Sequence, residues 1–338
     1  MGKLTPLGRL IIILAILGAI FAGLKFSGVL DSLSAKKSDG EQIEQQAENE
    51  EKAEDGNSST DSNSQTVSQA SSFSYTPPAP VGGTLKGVVE LGASGFNSFI
   101  INVDDAKNWK LEKAEFGNSL AIENMASDAD ITAGLKKYIG SKLDYGVAGK
   151  NIHFVVSSGA MKAENTQKII KALKTLKYNV NTVTAEQEGQ LALKCVLPKE
   201  YEDKAFVVDI GSGNTKITWK EAEKITSLES YGAKYFQNGT DDKTVATEIA
   251  SFAKKVPDAK RKTCFIIGGS PSKLAKQVRK GEERYTVLEA PEFYKGEDAK
   301  DKAGINIYKA LADATGCDTF VFDWDANFTI GFLLDLSK

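Results

Sequence analysis

A chain of 338 residues with 41% hydrophobic and 26% charged content holds enough apolar material for a sizeable core and has room for two folded lobes. Its three cysteines, Cys195, Cys264 and Cys317, lie far apart without CxxC or Cys/His spacing, which argues against a disulfide framework or a zinc cluster. The lone His153 sits in the apolar run Ile152 to Val156, as a strand residue would, so serine-histidine and cysteine-histidine hydrolase mechanisms lose their usual base.

After a short tail, 1–9, the stretch Leu10 to Leu24 carries no charge, and apolar character resumes after Lys25 through Phe26, Val29 and Leu30. Residues 10–30 are therefore expected to form a single transmembrane helix, since about 20 residues at 1.5 Å rise cover the hydrocarbon layer and Lys25 can snorkel to the interface. A cleavable signal peptide is the rival reading, with Lys3 and Arg9 as its basic start. Lys3 and Arg9 before the span favour the N-in orientation, which places the folded part outside the cytoplasm. Residues 31–82 read as a disordered acidic linker rich in Ser, Glu and Gln that ends at Pro77, Pro78 and Pro80. Ten acidic residues against Lys36, Lys37 and Lys52 leave that linker at −7, and Lys3, Arg9 and Lys25 give the anchor +3. Of the total −3, the folded remainder thus carries about +1, a balance that argues against a nucleic-acid-binding domain held by bulk charge.

From about Gly83 the pattern becomes that of an α/β protein. Leu85 to Gly92 and Phe99 to Val103 read as a β-hairpin around a glycine-bearing loop, with a third strand from Trp109 to Phe116 and an amphipathic helix from Ile131 to Leu143. Strand Ile152 to Val156, helix Asn165 to Tyr178, strand Val180 to Thr184 and helix Ala185 to Val196 follow. Ala205 to Gly211 then restarts the pattern: a strand, the tight loop Gly211-Ser212-Gly213-Asn214, alternation from Thr215 to Trp219, and a strand from Ile225 to Leu228. Val245, Ile249, Phe252 and Val256 share one helix face, Thr263 to Ile267 is a strand, and Pro271 opens a helix where proline is welcome. Ile305 to Thr315 and Ala326 to Leu336 are expected helices around a strand from Thr319 to Phe322. Three strands followed by alternating helix and strand occur twice, which predicts two similar lobes, 83–198 and 199–338, facing a cleft.

Such a duplicated arrangement suits phosphate chemistry, because each hairpin turn presents backbone N–H groups to phosphoryl oxygens with no bulky side chain in the way. Glu90 and Asp209 end the first strand of each half, where a carboxylate can hold Mg²⁺ or orient a nucleophile. The Walker A loop and a complete GxGxxG are both missing from the sequence, so P-loop and Rossmann readings fall away.

Several motifs in order carry a resemblance. Val208-Asp209-Ile210-Gly211-Ser212-Gly213-Asn214-Thr215, preceded by Ser157 to Asn165 and by Val183-Thr184-Ala185-Glu186-Gln187-Glu188-Gly189, resembles the exopolyphosphatase/guanosine-pentaphosphate phosphohydrolase (Ppx/GppA) family of the actin-like superfamily. Tyr231-Gly232-Ala233 and Ile267-Gly268-Gly269-Ser270 extend the likeness. It implies two RNase H-like (actin-like) lobes around a central cleft, with the phosphoanhydride of polyphosphate or a nucleotide polyphosphate as substrate. Glu188 would be the general base toward water, Asp209 a second catalytic group, and Glu90 and Asp209 the Mg²⁺ ligands. Phosphate would lie on Gly92, Ala93, Ser94 and Gly95, on Gly211, Ser212, Gly213, Asn214 and Thr215, and on Gly268, Gly269 and Ser270. The resemblance also allows a homodimer. Two departures stand out: Glu90-Leu91-Gly92-Ala93-Ser94-Gly95 replaces the family's Asp-x-Gly-Ser-Asn-Ser, and Lys216 stands where an acid is usual, able to attract phosphate or to point to solvent. They keep open an alternative to hydrolysis: a degenerate domain that binds phosphorylated ligands, or a membrane-tethered scaffold.

Overall fold

A computed structural model describes residues 73–92, 95–116, 127–161 and 164–336. The expected span at 10–30, the linker up to residue 72, and Ala93 and Ser94 of the first turn lie outside these residues. Among the described residues no helix is long and apolar enough to cross a membrane.

Strands β1 (Thr84–Gly92), β2 (Gly95–Val103) and β3 (Trp109–Phe116) form an antiparallel meander. Helix α1 (Asp128–Asp144) begins at a capping box between Ser127 and Asp130, and β4 (Ile152–Val156) then pairs with β1 in parallel. Helix α2 (Glu164–Thr175) is shorter than its apolar periodicity predicts, because Lys177 takes a left-handed φ of 64° and turns the chain into β5 (Val180–Thr182). Thr184 caps α3 (Ala185–Val196) by accepting the Gln187 N–H, so the residue expected to end the strand instead starts the helix.

The second half repeats the plan with β6 (Ala205–Ile210), β7 (Asn214–Glu221), β8 (Lys224–Tyr231), α4 (Asp242–Ala253), β9 (Thr263–Ile267), α5 (Gly269–Val278), β10 (Tyr285–Val287), α6 (Ala299–Thr315), β11 (Thr319–Asp323) and α7 (Phe328–Asp335). Its caps set several boundaries. Asp298 starts α6 a turn and a half before the first periodic residue, and Asn327 starts α7. The sheets have the orders β3-β2-β1-β4-β5 and β10-β11-β9-β6-β7-β8. Read from the meander outward the two orders coincide, apart from the antiparallel edge strand β10, which the sequence reading missed. The architecture is mixed α/β, with the same strand plan used twice.

Strand parity sorts the core into layers. Val89, Leu91, Phe154 and Val156 pack with Ile131, Leu135 and Ile139 of α1 and with Ile169 and Leu173 of α2 on the outer side of the first sheet. Phe206, Val208, Ile266 and Ile217 pack with α4, α5 and α6 on the outer side of the second. Val88, Val155, Val207 and Phe265 face inward and share a third core with α3 and α7. These two helices therefore form the middle layer: α3 packs on β6, β7 and β8, while α7 lies against α3 and against β1 and β2. The chain just before β1 is pinned as well, with the Phe73 ring 5.4–5.6 Å from those of Tyr201, Phe265 and Tyr285.

Candidate functional site

The parity that buries Val88 and Val207 in the middle layer turns Glu90 and Asp209, two residues on, toward the same layer. Both reach it at the end of their strand, where the sheets open into a cavity of about 240 Å³. Asp209 is 8% exposed, being walled by fully buried β6 and β9.

The second turn is built from close backbone approaches. Gly211 N–H donates to the Asn214 carbonyl at 3.0 Å, and Ala233 and Lys234 donate to the carbonyls of Gly211 and Ser212. Gly232 lies so close beneath that a Cβ there would sit 2.3 Å from the Asn214 nitrogen. Gly268, at φ 106°, follows β9 directly beside the end of β6: its Cβ would lie 2.3 Å from the Ile210 carbonyl oxygen and 2.9 Å from the Asp209 carboxylate. Only glycine fits such a position, for both space and backbone conformation.

Helix α3 brings Glu188 in its first turn. Gly189 lets the helix sink onto the second sheet, since a Cβ there would be 1.9 Å from Ser227 Oγ and 2.6 Å from Thr218 Oγ1. Glu188 is consequently 1% exposed. Its Oε1 accepts the Ser158 N–H at 2.5 Å, and its Oε2 lies 2.5 Å from Lys216 Nζ. Lys216, directly opposite Asp209 in the antiparallel register, is 4% exposed, with its ammonium 3.6 Å from Asp209 Oδ2. Burial by itself would push that ammonium down, but Asp209, Glu188 and Glu90 together outweigh it and hold Lys216 above the usual lysine value.

Glu90 has different company. Its Oε2 accepts from Asn97 Nδ2 at 2.9 Å and from Asn327 Nδ2 at 3.2 Å, the latter being the residue that caps α7. Burial raises its proton affinity, partly countered by the two amide donors, and the neighbouring Asp209 and Glu188 raise it further. Across the mouth, Asn214 Nδ2 donates to Ser158 Oγ at 3.2 Å and to Glu229 at 2.7 Å, so the second turn is tied to the segment that follows β4.

Of the residues expected from the sequence, Glu90, Gly92, Gly95, Glu188, Asp209, Gly211, Ser212, Gly213, Asn214, Gly268 and Gly269 line this one cavity. Two expected phosphate contacts are placed elsewhere. Thr215 is fully buried and donates to the Tyr231 carbonyl at 2.7 Å, while Ser270 faces a separate cavity beside Lys273 and Lys276. Ala93 and Ser94 are outside the described residues. Asn97, Asn327 and Lys300 line the cleft without having been singled out in the sequence, and Ser157 and Gly159 line it from the motif Ser157 to Asn165, to which no site role had been given. Lys216 had carried a signal of its own, as the cation in an acid's position.

Does this donor set fit Mg²⁺? The ion needs several oxygens at about 2.0–2.1 Å in octahedral array. Here Glu188 Oε2 and Asp209 Oδ2 converge on the Lys216 ammonium, Glu188 Oε1 accepts the Ser158 N–H, and Glu90 is engaged by two amides. Among the described residues no group of three or more acidic, histidine or cysteine side chains is arranged to hold a metal. With Lys216 so placed, the residues do not fit the ion.

No protein-family model matches the chain, and no curated protein matches it in sequence. Solved structures do match its fold. The Aquifex aeolicus member of the Ppx/GppA protein family is 18% identical with a TM-score of 0.55, covering 74% of this chain and 96% of that one. An exopolyphosphatase from Cytophaga hutchinsonii is 14% identical with a TM-score of 0.58, covering 75% and 99%. At such identities the likeness establishes a shared fold.

Proposed function

We propose that the chain is a divergent member of the Ppx/GppA family whose cleft binds the phosphoanhydride chain of polyphosphate or a nucleotide polyphosphate. One observation supports this above all: Gly92 and Gly95 of the first turn, the second turn Gly211 to Asn214, Glu90, Asp209 and Glu188 line a single cavity. Three helices, α3, α5 and α7, start near it, so their N–H ends add favourable potential for phosphoryl oxygens.

Binding with little or no turnover is the form of this function we favour. A general base needs a carboxylate oxygen free to meet water. Both oxygens of Glu188 are taken, by the Ser158 N–H and by Lys216. The hydrolytic reading expected from the resemblance draws its support from the retained Glu188 and Asp209. Inorganic tripolyphosphate separates the two. Binding at a hundredfold excess over Kd adds about 2.7 kcal/mol and should raise Tm by roughly 5–10 °C, with phosphate release no faster than in Glu188→Gln and Asp209→Asn. Release that those substitutions abolish would restore the hydrolase; no thermal shift would remove the cleft reading.

We also propose that the apolar span at 10–30 tethers this body to a bilayer with the N-terminus in the cytoplasm. Protease added to intact cells should then degrade the C-terminal body, and its protection would reverse the orientation.

A further inference from the structure

We infer that Lys216 is a built-in cation of the cleft, so that the site takes its phosphoryl ligand without a divalent metal. This rests on the cleft being a phosphate site, as proposed above.

Three observations converge on the lysine. It is fixed by its strand: the pairing of β6 with β7 sets Lys216 across from Asp209, and cross-strand neighbours project to the same face. It is enclosed, because α3 covers that face and brings Glu188 to 2.5 Å from the ammonium. It is also aimed at the ligand turn, since a Cβ on Gly211 would lie 4.0 Å from Lys216 Nζ. An ammonium has three N–H donors. Glu188 takes one at 2.5 Å, whereas Asp209 at 3.6 Å is an ion-pair partner beyond hydrogen-bond reach, which leaves a donor for a phosphoryl oxygen cradled by the Gly211 to Asn214 turn.

The charges around it are consistent with that role. A phosphate entering a pocket lined by Asp209, Glu188 and Glu90 meets repulsion unless a cation intervenes, and metal-dependent sites solve this with Mg²⁺. Here the ammonium neutralises one carboxylate, Glu90 is biased toward its neutral form, and Lys300 lines the same cavity as a second cation. A lysine tethered by its own strand cannot be chelated away.

The test is calorimetric titration of the full-length protein with inorganic tripolyphosphate, once in EDTA and once with Mg²⁺, at matched free ligand. The affinity should agree within about twofold between the two conditions, as expected when no ion is taken up with the ligand. Lys216→Gln should weaken binding in EDTA by about tenfold or more, the size of a lost charge-assisted contact, and Lys216→Arg should retain most of it. Wild-type binding that appears only with Mg²⁺ would overturn the inference while leaving the phosphate site standing. So would Lys216→Gln binding as tightly as wild type in EDTA. No binding in either condition would instead remove the phosphate site itself. The double variant Lys216→Gln/Glu188→Gln, which leaves fewer unpaired charges, serves if the single one does not fold, and it too should lose affinity in EDTA. The wild-type comparison needs no variant.

Discussion

Replacing Lys216 by methionine keeps the aliphatic stem and removes the charge, and its consequences can be worked out from the cleft. The lost ammonium served Glu188 at 2.5 Å and Asp209 at 3.6 Å, where the two carboxylate residues are 1% and 8% exposed. Deleting one partner of a buried pair costs about 3–5 kcal/mol, because the remaining charge stays in a poorly solvated place. For a body of this size that is a fall in Tm of roughly 10 °C. The pH dependence of the lysine sets where this loss is to be measured. In wild type the lysine is held above its ordinary value, so its contribution is complete below the unfolded lysine value of about 10.4 and is lost only as pH rises through the higher folded one. Between about pH 5 and pH 8 it is therefore constant. The destabilisation of the variant is therefore read inside that range, where the wild-type ammonium is fully charged. Adding Glu188→Gln should recover much of the loss, a coupling that a double-mutant cycle measures directly. Thermal unfolding by circular dichroism at about pH 7 is sufficient. A loss under about 1 kcal/mol, or no recovery in the double variant, would refute the claim that this ammonium compensates the pair.

Glu90→Gln should stabilise the protein at neutral pH and leave it unchanged in acid. Glu90 is held above its ordinary value, so its cost appears as pH rises from the unfolded carboxylate value through the folded one, and the amide removes it; a variant less stable than wild type at about pH 8 contradicts this. Gly232→Ala should weaken tripolyphosphate binding about tenfold or more by driving a methyl into the Asn214 amide, 2.3 Å away, and unchanged affinity by calorimetry would show that the turn is not the ligand seat. Arg284→Ala should cost about 3–5 kcal/mol in urea unfolding, since the guanidinium makes 2.9 and 3.0 Å contacts to buried Asp323. It also stacks 4.3 Å over the Trp109 ring. Arg284→Lys should recover only part of that loss, because lysine cannot supply the bidentate fork.

The duplicated plan was legible because it is written in local signals: apolar runs of strand length, glycine turns and helical periodicity. Glu90 and Asp209 could be placed by parity, as each follows an inward-facing valine by two residues. The short edge strand Tyr285–Val287 was not legible, since three residues give no pattern. Asn97 and Asn327 were missed for another reason: nothing local marks them, and their shared partner Glu90 lies 7 and 237 residues away in the chain. Lys216 shows the boundary between the two cases. Alternation separates Ile217 and Trp219 from Lys216 and Thr218, but it does not say which face is covered. That depends on α3, which precedes the second sheet in the chain yet packs on it. A lysine that reads as a surface residue becomes an interior one through a contact made by another segment.

The interleaved middle layer bears on how the chain can be divided. α3, encoded before the second sheet, lies upon it, and α7, encoded after the second sheet, returns to the first. The two cross so tightly that a methyl on Gly331 would lie 1.9 Å from the Leu191 carbonyl oxygen. Fragments cut near residue 198 would each expose a face that only the other fragment covers, so neither half is an autonomous folding unit. During synthesis the first sheet must wait for α7 to emerge from the ribosome before its inner surface is shielded, which makes Phe328–Asp335 as consequential for the first sheet as its own strands.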